Sequence, residues 1–150
     1  NKLVVMDPAP AGFIPIDAYQ FFDYLIPNET EAEALVGHSV QTNEEVIDAA
    51  KTLLDRGVNR GVIIKLGSRG AFYMNQETSG FVAAPEVAVI DTVAAGDAFN
   101  AGFTAYLLQG KSLEKSVHMG VLTGSLAVTK LGAQESMPSL DELEAFINTI

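Results

Sequence analysis

Hydrophobic positions along this chain fall into two kinds of pattern. Short continuous apolar runs alternate with longer stretches in which apolar residues recur every three or four positions. Leu3–Met6 is such a run and stops at Asp7-Pro8, the signature of a buried strand that ends where proline removes a donor. Residues 8–12 read as a loop. A second run, Phe21–Ile26, closes at Pro27. Asn28-Glu29-Thr30-Glu31 then opens a short helix through Val36, stopped by Gly37. Asn43 caps a clearer helix carrying Val46, Ile47, Ala50, Leu53 and Leu54, ended by Gly57. Gly61–Leu66 is a Val/Ile-rich strand followed by the turn Gly67-Ser68-Arg69-Gly70. Ala71–Met74 and Phe81–Ala84 flank a polar turn and predict an antiparallel excursion. Val87–Ile90 reads as one more strand, and Thr92–Gly96 as a small-residue loop. Helices follow from about Asp97 to Leu108, from a Ser112 cap to about Lys130, and from a Ser139/Glu142 capping box to about Ile147. Uniformly apolar strands alternating with helices predict an α/β fold, a three-layer arrangement with a mostly parallel sheet flanked by helices.

Composition narrows the partners. The chain has 150 residues, 48% hydrophobic and 19% charged, which suits one globular domain. Nine basic against 19 acidic residues give a net charge of −10, which argues against nucleic acid or an anionic membrane as partner. No apolar run is long enough to span a bilayer. The absence of cysteine removes disulfide and thiolate chemistry and suits a cytoplasmic location. The first residue is Asn1 and is followed at once by an apolar segment, so the sequence reads as a piece of a longer chain. A half-domain of this kind is expected to expose apolar surface and to be less soluble than its charge suggests.

Four segments could carry chemistry. In Asp91-Thr92-Val93-Ala94-Ala95-Gly96-Asp97, a strand ends, small residues turn tightly, and a helix begins. Backbone N–H groups at such a helix start form an anion site, and the helix dipole favours the charge of an Asp97 acting as general base. An acidic residue complementing the dipole explains the same letters. Asn28 and Glu31 form a capping box, or else order metal-bound waters beside a phosphate. Lys65-Leu66-Gly67-Ser68-Arg69-Gly70 is either a plain turn or a glycine loop facing nucleotide phosphates. The loop from Lys130 to Ser136 offers carbonyls and a hydroxyl suited to a hard monovalent cation, or is a simple glycine-capped connector. The P-loop and dinucleotide fingerprints are both absent. His38 and His118 have no metal-ligand spacing around them.

In this order the segments resemble one family. DTVAAGDAFNAGF is similar to the C-terminal signature of the ribokinase/phosphofructokinase-B family of carbohydrate kinases, PNETEAE to its N-x-x-E motif, and KLGSRG to its nucleotide loop. DPAPA, PNETEAEALVG and LAVTKLGAQESMP resemble the branch that phosphorylates D-ribose to ribose 5-phosphate. The resemblance covers residues 3–147 and corresponds to the C-terminal half of such an enzyme, with a Rossmann-type core.

The resemblance implies transfer of the ATP γ-phosphoryl group to a sugar hydroxyl. Asp97 would be the base, and the amides of Ala94, Ala95 and Gly96 the anion hole. Asn28 and Glu31 would help to place Mg²⁺ through its waters. Lys65, Gly67, Ser68 and Gly70 would line the nucleotide site, with Val121 near the adenine. Asp91, Val93, Ala127, Lys130, Gly132 and Ser136 match the positions that hold an activating K⁺. Three positions depart from the family pattern: Lys65 for Thr or Ser, Ala94 for Gly, and Val121 for Asn. The sugar site and the β-sheet lid through which such enzymes dimerise belong to the other half. Fructokinase, 2-keto-3-deoxygluconate kinase, nucleoside kinase and a non-catalytic nucleotide-binding fragment are the alternatives.

Overall fold

In the computed structural model, which describes residues 2–150, five short strands form one sheet in the order β1-β2-β3-β4-β5. The strands are β1 (Val5–Met6), β2 (Tyr24–Leu25), β3 (Gly61–Lys65), β4 (Ala71–Met74) and β5 (Ser79–Val82). The first three are parallel, with Val5 opposite Tyr24 and Tyr24 opposite Gly61. β3 and β4 run antiparallel, pairing Ile63 with Tyr73 and Lys65 with Ala71. The α/β class and the antiparallel excursion are both present, and the sheet as a whole is mixed. The helices are α1 (Glu29–Val36), α2 (Asn43–Asp55), α3 (Ala95–Leu108), α4 (Leu113–Ala127) and α5 (Leu140–Ile147).

The chain divides into two compact units. The first holds the residues up to Gly67 together with Ala71–Phe81. Its core joins Leu25, Val62 and Ile64 of the sheet to Ala32 of α1 and to Val46, Ala49, Ala50 and Leu53 of α2. The α2 residues recur at helical spacing, so one stripe faces the sheet. Asp23 ties the strand starts together: its carboxylate accepts from Val4 N at 2.9 Å and from Arg60 Nε at 3.0 Å.

The second unit holds Ser68–Gly70 and Val82–Ile150. Here α3 and α4 approach closely because glycines face the contact. A Cβ on Gly120 would lie 3.0 Å from Phe99 O, and one on Gly124 would lie 3.1 Å from Ala95 O. Leu143 of α5 packs with Met119 and Leu122 of α4.

Local expectations shift in several places: β5 is Ser79–Val82 where Phe81–Ala84 was expected, and of Phe21–Ile26 only Tyr24–Leu25 is strand. Thr42, not Asn43, caps α2, because Glu45 three residues later completes a reciprocal box with it. The helix expected from Asp97 begins at Ala95, and the one expected to reach Lys130 ends at Ala127. Val87–Ile90 forms no strand among the described residues. Instead, the Ile90 amide donates to Val128 O at 2.8 Å, beyond the end of α4. Four apolar residues suffice for a strand pattern, but a strand exists only where a neighbour completes the ladder.

Candidate active site

In the first unit, three sequence-distant residues meet at the C-terminal ends of the parallel strands. Asp7 follows β1, Asn28 lies just beyond β2, and Lys65 ends β3. Asn28 bridges to Lys65 in parallel register, and Lys65 N donates to Pro27 O at 2.8 Å. Asn28 and Glu31 form the reciprocal box. Asn28 N donates to Glu31 Oε2 at 2.7 Å, and Glu31 N donates to Asn28 Oδ1 at 2.8 Å. Glu31 is buried, at 8% exposure. Glu33, on the same helix, accepts from Val40 N at 3.0 Å. That amide, with Gln41, lowers the pKa of Glu33.

Lys65 neither points outward nor stands alone. Its ammonium lies 2.7 Å from Asp7 Oδ2, and the two side chains are only 14% and 24% exposed. Asp7 was not anticipated from the sequence. The signals were a carboxylate directly after one buried strand and a lone cation closing another, but only strand register brings them together. Gly67, after Lys65, takes a left-handed φ of +56°.

In the second unit, Ser68 is exposed and Gly70 is buried. Gly70 has φ +94°, and a Cβ there would lie 2.7 Å from Ala84 N. Glycine is therefore required by both torsion and space. The loop before α3 is held by Asp91. Its Oδ1 accepts from Val93 N at 3.1 Å and its Oδ2 from Gly132 N at 3.0 Å. These amides, Gly132 first, lower the Asp91 pKa.

The start of α3 differs from the others. Asn28, Thr42, Ser112 and Ser139 each cap a helix with a side-chain oxygen, whereas Ala94 offers none to α3. Ala95 N donates to Thr92 O at 3.2 Å, while Gly96 and Asp97 follow in the first turn with no side-chain acceptor. Asp97 is exposed and Ala94 is buried. An uncapped helix start flanked by small residues leaves N–H donors for an anion.

The residues matched to a monovalent cation lie on two segments that touch. Asp91 reaches Gly132 directly, and Asp91 N donates to Val128 O at 3.2 Å. Buried Ser136 donates to Ala133 O at 3.0 Å, and Ala127 O accepts from Lys130 N at 3.1 Å. The donor set is oxygen throughout, which fits a hard cation. The Lys130 ammonium is engaged by Glu142 of α5. Among the described residues, no group of three or more His, Cys, Asp or Glu could hold a metal. A divalent ion near Glu31 would accordingly have few protein ligands, as Mg²⁺ accepts when it keeps its waters. Val121 is buried on α4, at 4% exposure. No helix among the described residues is long and apolar enough to cross a membrane.

In the first unit the parallel strands of an α/β sheet end in charged and polar residues, and in the second unit α3 starts, without a side-chain cap, inside D-T-V-A-A-G-D. Residues 1–140 match the pfkB family carbohydrate kinase profile, and the chain belongs to that family. It is 38% identical to a ribokinase of Haemophilus influenzae over 96% of its length, and 34% identical to a deoxyribokinase of Salmonella typhi over 97%. In each case it spans 47% of the relative, so the chain is about half the length of these proteins. Among solved structures, ribokinase from Thermotoga maritima superposes with a TM-score of 0.90 at 39% identity, covering 99% of this chain and 50% of that one. Arabidopsis thaliana ribokinase, complexed with ribose and ATP, gives 0.87 at 32%, covering 97% and 47%. Phosphofructokinase-2 from Escherichia coli, in complex with potassium, gives 0.85 at 27%, covering 98% and 47%.

Proposed function

We propose that this chain is the nucleotide-binding and catalytic portion of an ATP-dependent sugar kinase, with D-ribose as acceptor and ribose 5-phosphate as product. The observation that carries the reading is the uncapped start of α3, with exposed Asp97 in its first turn. Asp97 takes the proton of the attacking hydroxyl as the new oxygen–phosphorus bond forms and the bond to the ADP oxygen breaks. Amides of Ala94, Ala95 and Gly96 stabilise charge on the transferring phosphoryl oxygens. The Ala95 amide, bonded to Thr92 O in this conformation, has to turn or share its donor. Each such donor is typically worth ~3 kcal/mol of transition-state stabilisation.

Asn28 and Glu31 order the waters of a Mg²⁺ ion, which would neutralise phosphate charge when bound. Gly67, Ser68 and Gly70 let backbone approach the nucleotide, and Val121, buried on α4 near the adenine position, offers the base no polar contact. Asp91, Val93, Ala127, Lys130, Gly132 and Ser136 hold K⁺ mainly through carbonyl oxygens. The E. coli neighbour is in complex with potassium, which supports K⁺ as the ion. The sugar site and a dimerising lid would lie in sequence outside this chain, and a cytoplasmic location suits a cysteine-free kinase.

The test is turnover with ATP, Mg²⁺ and K⁺ on ribose, deoxyribose, fructose, 2-keto-3-deoxygluconate and nucleosides, using the protein expressed from its complete reading frame. Ribose should be phosphorylated fastest. Asp97→Asn should lower kcat by ~100- to 10,000-fold while leaving ATP affinity within a few-fold. Undiminished turnover in that variant would remove Asp97 from its role.

A further inference from the structure

We infer that Asp7 is a positioning residue, which fixes the Lys65 ammonium at the open end of the parallel sheet so that it meets the β- and γ-phosphates of the nucleotide. The inference rests on the kinase reading above.

β3 has the sequence Gly-Val-Ile-Ile-Lys, four fully buried residues followed by one cation. A lysine only 14% exposed needs a compensating charge, and Asp7 supplies it from 58 residues away. β1 and β3 are not neighbours, because β2 lies between them. The ion pair therefore spans the C-terminal end of β2, beside Asn28 and its box with Glu31. Ligands of open α/β sheets bind at this edge.

The opposite edge offers a comparison. There Asp23 holds Val4 N and Arg60 Nε, and Arg60 is 60% exposed. That pair already ties the starts of β1, β2 and β3, so Asp7–Lys65 is not needed to set strand register. An ammonium has three N–H donors, and Asp7 takes one of them. No other protein acceptor engages Lys65 Nζ among the described residues, which leaves two donors for phosphate oxygens. A four-carbon stem held at one carboxylate presents those donors in a fixed direction.

The experiment measures dissociation constants of Mg·ATP, Mg·ADP and AMP by calorimetry on protein from the complete reading frame. Wild type is compared with Asp7→Asn, Lys65→Met, Lys65→Arg and the Asp7→Asn/Lys65→Met double variant, each checked by thermal melting. Lys65→Met should weaken ATP by ~10- to 100-fold and AMP little, since a hydrogen-bonded charge faces only the outer phosphates. Lys65→Arg should restore part of that loss. Asp7→Asn should weaken ATP several-fold in the wild-type background and not at all once Lys65 is gone. Should Asp7→Asn fail to fold, Asp7→Glu keeps the carboxylate and should preserve the ATP-to-AMP preference.

An equal effect of Asp7→Asn with and without Lys65 would overturn the inference, because Asp7 would then act directly. Equal weakening of ATP and AMP, or unchanged ATP affinity in Lys65→Met, would overturn it as well while leaving the kinase reading standing. A wild-type protein that binds no ATP would overturn both.

Discussion

A Cβ on Gly70 would overlap the carbonyl oxygen of Val82 and lie 2.9 Å from Ala83 C, at a φ of +94°. Relief requires moving backbone, so Gly70→Ala should cost at least about 2 kcal/mol of stability by urea unfolding. Gly67→Ala should cost less, since its added Cβ meets nothing within 4 Å and only its φ of +56° is strained. The same two glycines looked equivalent in the sequence, where G-x-x-G gives no contact distances. Lys65 was legible as the cation that closes an apolar strand, where the family pattern has Thr or Ser. Its ion pair with Asp7 is seen only in the structure. Asp91 was legible as the last residue before a tight loop. Its bond to Gly132, 41 residues on, was not, because nothing local to either residue encodes the approach.

The capped starts of α1, α4 and α5 were legible. Asn28/Glu31 and Ser139/Glu142 are reciprocal boxes in the structure as in the sequence, because capping is decided within four residues. Thr92–Gly96 was legible as a small-residue loop before a helix, but that α3 starts without a side-chain cap, which carries the functional reading, is seen in the structure. What holds α3 against α4 was not legible. Gly102 of α3 faces Thr123, whose Oγ1 donates to Met119 O at 2.7 Å; a Cβ on Gly102 would overlap that hydroxyl and lie 2.9 Å from Met119 O. Gly102→Ala should therefore destabilise by about 1–3 kcal/mol despite alanine's better helix propensity, measured by urea unfolding. A combined Gly102→Ala/Thr123→Ala variant should recover part of the loss if the hydroxyl is the obstacle. Val87–Ile90 illustrates the opposite failure, an apolar run that joins no ladder among the described residues and sends the Ile90 amide to Val128 O.

Across the whole molecule, acid should be the sensitive direction. Glu33, Glu45, Asp91 and Glu142 all have lowered pKa values, chiefly from backbone amides in the first three and from the Lys130 ammonium in Glu142, which falls to about 2. A carboxyl with a depressed folded-state pKa adds stability above its unfolded value and loses it as pH falls through the folded one. Stability should thus be level near neutrality and decline from the ordinary carboxylate range down to about pH 2, as urea midpoints against pH would record. Glu142→Gln should flatten the lowest part of that decline. Exposed Phe13, Ile16 and Phe21 in the first unit bear on solubility, at 92%, 65% and 67% exposure. Replacing all three with serine should reduce self-association in light scattering. By itself the sequence determined the α/β class, the capped starts of α1, α4 and α5 and the family's motifs, because periodicity, caps and small-residue loops are local properties. Only tertiary structure decided that Asp7 meets Lys65, that Asp91 meets Gly132, and that Gly70 and Gly102 have no room for a methyl group. Those outcomes depend on strand register and backbone approach between distant segments, which no stretch of letters specifies alone.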